Sequence, residues 1–63
     1  MRIGVRIRQL REARGFTQTA LARRAKVGRI TLVRIEQGTQ DATVSTLERL
    51  ARALEVRVRE FFD

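Results

Sequence analysis

The sequence predicts an all-α domain, and three observations lead to that prediction. Apolar residues recur at helical spacing, glycines stand where two of the periodic stretches end, and no alternating strand pattern is sustained. The chain has 63 residues with no cysteine and no histidine. One small core without disulfides or the usual zinc ligand sets must therefore hold residues 1–63 together as a single domain.

The first helix is predicted over residues 3–14. Its apolar side chains fall in one stripe about 60° wide when each residue turns about 100°; they are Ile3, Ile7 and Leu10. Gly15 follows, and a glycine just past a helix end readily adopts the positive φ that closes the last turn. We therefore expect this helix to pack through one narrow side.

Two shorter helices joined by a tight turn come next. Thr17 is placed to cap the second helix, residues 18–25, through its side-chain oxygen. Residues 26–28 form the turn, and the third helix covers residues 29–37 before Gly38, which again stands just past a helix end.

The third helix has a polar face that a small core does not need. One side of the helical wheel carries Arg29, Ile30, Val33, Arg34 and Gln37. The opposite side, with Thr31, Leu32 and Ile35, is expected to face the core. Arginine bonds bidentately to guanine and an aliphatic group can meet a thymine methyl, so the outer face suits the major groove of DNA.

A fourth helix is predicted over residues 44–54, capped by Thr43. Its apolar stripe is about 120° wide on the same wheel; it consists of Val44, Leu47, Leu50, Ala51 and Leu54. Residues 56–62 are predicted to form a short terminal helix or turn. Their apolar side chains exceed what a short tail needs, so Val58, Phe61 and Phe62 are candidates for a dimer contact, with one phenylalanine expected in the core.

Charge is distributed unevenly along the chain. Residues 1–35 contain ten basic side chains and one acid, whereas residues 36–63 contain four arginines and six acids. The net charge of +7 therefore comes from the first half. A basic half suggests an anionic partner such as nucleic acid, and Arg2, Arg6, Arg23, Arg24 and Lys26 would add sequence-independent attraction if they face a phosphate backbone.

Four segments, taken in order, resemble the Cro/repressor-type helix-turn-helix family (the XRE, or lambda-repressor-like, domain). They are IRQLREARG at 7–15, TQTALARRA at 17–25, RITLVRIEQG at 29–38 and TLERLARALEV at 46–56. The resemblance covers nearly the whole chain. It implies a compact five-helix lambda-repressor-like domain in which helices 2 and 3 form the DNA-binding helix-turn-helix.

The resemblance also implies roles for single residues. Those that match base-reading positions are Arg29, Ile30 and Arg34, with Val33 beside them. Those expected at the DNA backbone are Thr17, Gln18, Thr39 and Gln40, of which Gln18 matches a phosphate-contacting glutamine and could instead be an ordinary solvated residue. Arg11 and Glu36 match a structural ion pair, although Arg11 could also contact phosphate.

Two departures from the family pattern matter for geometry. Lys26 stands in the turn and Glu55 follows the fourth helix. The family commonly has glycine at both of these positions. Both put a β-carbon where a left-handed backbone is often required.

We expect a cytoplasmic, sequence-specific regulator of transcription, a repressor, that binds double-stranded DNA as a homodimer on a palindromic operator. A second hypothesis is an antitoxin-like or accessory module that binds a protein partner, with DNA binding secondary. No membrane association, metal or cofactor is expected, because no long apolar run and no ligand set is present. No enzyme activity is expected, since the acids are scattered without an acid–base pairing.

Overall fold

The computed structural model describes residues 3–62, which fold into four α-helices and a short 3₁₀ helix with no strand among them. The helices are α1 (Ile3–Ala13), α2 (Gln18–Ala25), α3 (Arg29–Gln37), α4 (Val44–Leu54) and the terminal 3₁₀ helix (Val58–Phe62). The all-α prediction is confirmed. The expected fifth helix is instead the 3₁₀ helix, because five residues are too few to stabilise an α-helical nucleus.

Side-chain caps and glycines set most helix ends as predicted. The Thr17 side chain accepts a hydrogen bond from the Ala20 amide at 3.0 Å, and Thr43 accepts one from the Thr46 amide at 3.1 Å. Gly15 has a φ of +76° just beyond α1, which ends one residue earlier than predicted.

The core forms where α2 packs against both α3 and α4, while α1 packs against α3 and the 3₁₀ helix. Its large, fully buried side chains come from all five elements; they are Ile7, Leu21, Leu32, Leu50, Leu54 and Phe61. Within residues 3–62, no helix is long and apolar enough to cross a membrane.

Val44 does not belong to this core, contrary to the predicted stripe on α4. Its side chain is 70% exposed, whereas Leu47, Leu50, Ala51 and Leu54 are buried. A helical wheel gives the direction of a side chain but not its position along the axis, and Val44 is the first residue of α4. The core begins only at the next turn.

The terminal aromatic pair divides between the core and the surface. Phe61 is fully buried, and the neighbouring Phe62 is 49% exposed. Phe61 is therefore a core residue and is not available as a dimer contact, which corrects its place among the dimer candidates. Successive residues of a 3₁₀ helix point about 120° apart, so the two phenylalanine side chains cannot both face inward.

Candidate nucleic-acid interface

The outward face of α3 carries the residues that the sequence predicts to read bases. Arg29 and Arg34 are exposed, Ile30 is 55% exposed and Val33 is half-buried. Leu32 and Ile35 on the opposite side are buried, as expected from the wheel. Three of the four predicted base readers are thus presented to solvent, and Val33 lies at the edge of the face.

The N-terminal end of α3 is left uncapped by any side chain. Gly28 occupies the N-cap position with an extended backbone and offers no side-chain hydrogen bond. A β-carbon at Gly28 would meet no atom closer than the Thr31 hydroxyl at 3.5 Å, so sterics do not require glycine there. The first amide groups of α3 are consequently available to a polar partner, which the helix dipole makes favourable for an anion.

Residues predicted to contact the DNA backbone lie at the start of α2 and just after α3. Thr17 is exposed at the N-cap of α2. Thr39 and Gln40 are exposed beyond the C-terminus of α3, where the Thr39 hydroxyl donates to the Arg34 carbonyl at 3.3 Å.

A buried ion pair holds the C-terminal end of α3 against α1. Arg11 donates from Nε to Glu36 Oε2 at 2.8 Å and from Nη2 to Glu36 Oε1 at 3.1 Å. Each residue is 7% exposed. The hydrogen bonds that Arg11 donates to the Glu36 carboxylate raise the pKa of the Arg11 guanidinium above its ordinary value, against the opposing effect of burial. The pair implied by the family resemblance is therefore present in a bidentate form.

Two further bonds extend this pair into a network. The third nitrogen of Arg11, Nη1, donates to the Phe16 carbonyl at 2.8 Å, and Gln18 Nε2 donates to Glu36 Oε1 at 3.0 Å. Gln18, a predicted phosphate contact, is thus neither a free solvated residue nor independent of the ion pair. Because all three guanidinium nitrogens of Arg11 already donate to protein oxygens, the geometry favours its structural role over phosphate contact.

Gly4 brings α1 unusually close to α3, and sequence reasoning missed its role. A β-carbon built on Gly4 would collide with the Ile35 carbonyl group. The sequence signal was a glycine inside a predicted helix, which lowers helix propensity and therefore calls for a packing reason. Gly4 and the Arg11–Glu36 pair together set the position of α3.

Two of the basic residues assigned to sequence-independent attraction donate hydrogen bonds to backbone carbonyls of the fold. Arg6 Nε donates to the Glu60 carbonyl at 2.9 Å, and Arg24 Nε donates to the Ala53 carbonyl at 2.9 Å. Arg24 also lies over the Phe16 ring, 5.6 Å from its centroid. Arg23 and Lys26 are exposed, and Arg2 lies outside the described residues.

Comparison with known proteins places this geometry in a family. A helix-turn-helix family model matches residues 7–61. The immunity repressor protein of Bacillus phage phi105 is 40% identical over 58 residues, which are 92% of this chain and 40% of that protein. The chain therefore spans well under half the length of that relative.

Solved structures are similar over almost the whole chain. The restriction-modification controller protein C.AhdI from Aeromonas hydrophila is 33% identical with a TM-score of 0.94, over 97% of this chain and 92% of that one. SinR of Bacillus subtilis, a master regulator for biofilm formation solved in complex with DNA, is 34% identical with a TM-score of 0.92, over 97% of this chain and 98% of that one. The family model covers all of α2 and α3. The chain therefore belongs to the Cro/repressor-type (XRE) helix-turn-helix family of DNA-binding regulators.

Proposed function

We propose that this protein is a cytoplasmic, sequence-specific repressor of transcription that reads the major groove of double-stranded DNA with α3. The outward face of α3 carries the proposal, because it exposes Arg29, Ile30 and Arg34 although the core needs none of them. A surface helix normally keeps a residue such as isoleucine inside. A face that mixes guanidinium groups with an aliphatic side chain matches the donors, acceptors and methyl groups of base edges.

Base reading and backbone positioning would be divided among different elements. Arg29 and Arg34 would each bond to a guanine, and Ile30 with Val33 would meet thymine methyl groups. Thr17 and Gln18 lie beside the C-terminal end of α3, and Thr39 and Gln40 follow that end, so phosphate contacts there would fix the register of α3 in the groove.

The buried network would support one of those phosphate contacts. Gln18 Nε2 uses one hydrogen for Glu36, which is itself held by Arg11. The side-chain amide nitrogen of a glutamine carries two hydrogens. The second would be left for a phosphate oxygen, and the first would fix the orientation of the side chain before DNA arrives.

A homodimer would place two α3 helices in successive major grooves of a palindromic operator. Half-sites recognised by helix-turn-helix dimers are about 34–36 Å apart, one turn of the duplex. Phe62 is the exposed aromatic of the C-terminal segment, and Val58 in the same 3₁₀ helix is half-buried. We assign the dimer contact to these two residues, since Phe61 is committed to the core.

Binding to a pool of random duplexes, followed by sequencing of the retained fraction, tests this function. We expect enrichment of a two-fold symmetric motif and an affinity that falls steeply as salt rises, because phosphate contacts release counterions. The complex should contain two protein chains per duplex when measured by analytical ultracentrifugation. Salt-sensitive binding without an enriched motif would contradict sequence-specific regulation.

A further inference from the structure

A second basic surface lies between the C-terminal end of α2 and the side of α4, and none of its lining residues belongs to α3. It is a cleft of about 400 Å³, which we call the α2–α4 cleft. Two buried alanines, Ala25 and Ala53, are among its lining residues. The other lining residues are all basic: Arg24, Lys26, Arg49 and Arg52. The proposed base-reading and phosphate contacts use none of these side chains.

Hydrogen bonds to helix-end carbonyls orient two of the guanidinium groups. Arg24 Nε donates to the Ala53 carbonyl at 2.9 Å, and Arg49 Nη1 donates to the Lys26 carbonyl at 3.2 Å. Within residues 3–62, Lys26, Arg49 and Arg52 take part in none of the ion pairs. The cleft therefore concentrates positive charge that the fold itself does not neutralise.

Strained backbone converges on the same cleft. Among residues 3–62, Lys26 and Glu55 are the two non-glycine residues with a positive φ, each at 58°. They are the C-caps of α2 and α4, the two helices that form the cleft. Glycine would adopt this conformation with less strain, so the charged side chains are not explained by capping. Strained positions of this kind cluster at functional sites.

Glu55 places one carboxylate at the edge of the cleft. Its Oε2 lies 3.9 Å from Arg24 Nη2, and its Oε1 lies 4.0 Å from Arg14 Nη1. The Glu55 side chain is 71% exposed, so these ion pairs are loose and easily displaced. The arrangement shows that a carboxylate is accommodated beside Arg24.

We propose that the α2–α4 cleft binds an acidic segment of a protein partner. Carboxylates of the segment would pair with Lys26, Arg49 and Arg52, and arginine in particular accepts a carboxylate bidentately. A recess allows an extended segment to place its carboxylates among the four basic side chains, whereas a rigid duplex presents its phosphates on a convex surface. The proposal is independent of the function assigned to α3.

A matched pair of charge-neutralising variants tests the proposal. The probe is a short fluorescein-labelled peptide of alternating glutamate and alanine, and the same peptide with glutamine in place of glutamate is the neutral control. We expect Arg52→Gln and Lys26→Gln each to weaken peptide binding about two- to fivefold by fluorescence anisotropy, as partly exposed ion pairs do. Arg59→Gln removes an exposed charge from the terminal 3₁₀ helix and should leave the affinity unchanged.

A variant of opposite sign and a mapping experiment sharpen the test. Glu55→Gln removes the competing carboxylate and should strengthen peptide binding. In ¹⁵N NMR spectra, addition of the peptide should shift the amide signals of Ala25, Lys26 and Ala53 in the wild-type protein. Thermal melts by circular dichroism verify that each variant is folded.

Four outcomes would overturn the proposal. Equal weakening by Arg59→Gln and Arg52→Gln would mean diffuse charge attraction, and shifts centred on α3 would place the peptide on the other basic face. Displacement of the peptide by random-sequence duplex, with the duplex shifting the amides of the cleft, would make the cleft a phosphate site. Loss of self-association in Arg52→Gln without peptide would identify a second copy of the chain as the occupant.

Discussion

The two ends of α3 are held in opposite ways. At the C-terminal end, the Glu36 carboxylate is buried between Arg11 and Gln18, and Gly4 lies directly against the Ile35 carbonyl. At the N-terminal end, no side chain caps the helix, Arg29 is exposed and Ile30 is 55% exposed. One end is fixed by buried charge and close packing, whereas the exposed side chains of the other end contribute little to holding the fold together.

Because of this difference, one set of residues determines the position of α3 and another set would determine which DNA bases it prefers. Contacts from α1 and α2 at the fixed end determine where the helix lies. The residues of the free end can then change identity without disturbing the core, so one scaffold can carry different base contacts. Substitutions are therefore expected to affect two different quantities: stability for the buried residues at the fixed end, and DNA binding for the exposed residues of α3.

The largest expected effect is that of Glu36→Ala. Removing one partner of a buried ion pair leaves the other charge uncompensated, which costs about 3–5 kcal/mol. A domain of this size gains only about 3–5 kcal/mol from its core, so the variant should be largely unfolded at 25 °C in urea titrations followed by circular dichroism. The double variant Arg11→Met with Glu36→Leu should recover much of that stability. A Glu36→Ala protein within about 1 kcal/mol of wild type would show that the pair does not anchor α3.

Gly4→Ala should have the next largest effect, and its sign is the informative part. Alanine in a helix interior normally stabilises by about 0.5–1 kcal/mol relative to glycine. Here its β-carbon collides with the Ile35 carbonyl group, so overpacking should instead destabilise by about 1–3 kcal/mol. Gly28→Ser adds a β-carbon at ordinary contact distance from Thr31 at the other end of α3 and should stabilise by a few tenths of a kcal/mol. Equal stability changes in the two variants would remove the distinction between the ends.

Arg29→Ala and Arg34→Ala should weaken DNA binding and leave the fold intact. Each lost arginine–guanine contact is expected to cost about 1–3 kcal/mol of binding free energy, or roughly 5- to 150-fold in affinity. Unfolding free energies should stay within about 0.5 kcal/mol of wild type, because both side chains are on the surface. Arg59→Ala serves as the control for charge alone in the same gel-shift titrations. A similar loss in all three variants would indicate attraction without base reading.

The smallest expected effect is that of Lys26→Gly in the turn between α2 and α3. The left-handed backbone at Lys26 is unfavourable for a residue with a β-carbon, and glycine relieves that strain while increasing the entropy of the unfolded chain. A net stabilisation of about 0.5–1 kcal/mol should result, measured by thermal denaturation. If the turn does not determine which bases α3 reads, the DNA motif selected by Lys26→Gly should be the same as that selected by wild type.

The helices were predictable because each carries its own local signals. Thr17 and Thr43 cap α2 and α4, and Gly15 and Gly38 follow α1 and α3 with positive φ. Apolar spacing gave the correct inward side of α3, where Leu32 and Ile35 are buried. These signals depend on neighbours within a few residues in the sequence, which a helical wheel represents well.

Features that depend on distant neighbours escaped prediction. The exposure of Val44 follows from where the core ends along α4, and the constraint on Gly4 follows from the backbone of α3. The bond from Gln18 to Glu36 joins residues 18 positions apart, and Arg24 reaches the Ala53 carbonyl 29 positions away. Spacing alone cannot distinguish such a buried or bonded polar side chain from one that meets solvent or DNA.

The motif selected from random duplex DNA by three proteins tests the central claim, that the exposed face of α3 reads bases and the buried network at its C-terminal end only positions it. The proteins are wild type, Arg34→Ala and Gln18→Ala. We expect Arg34→Ala to lose the preference at one base pair in each half-site while the rest of the motif persists. Gln18→Ala should keep the whole motif at lower affinity, because a phosphate contact carries no sequence information. An unchanged motif from Arg34→Ala, or a motif altered by Gln18→Ala, would contradict this division between the exposed face and the buried network.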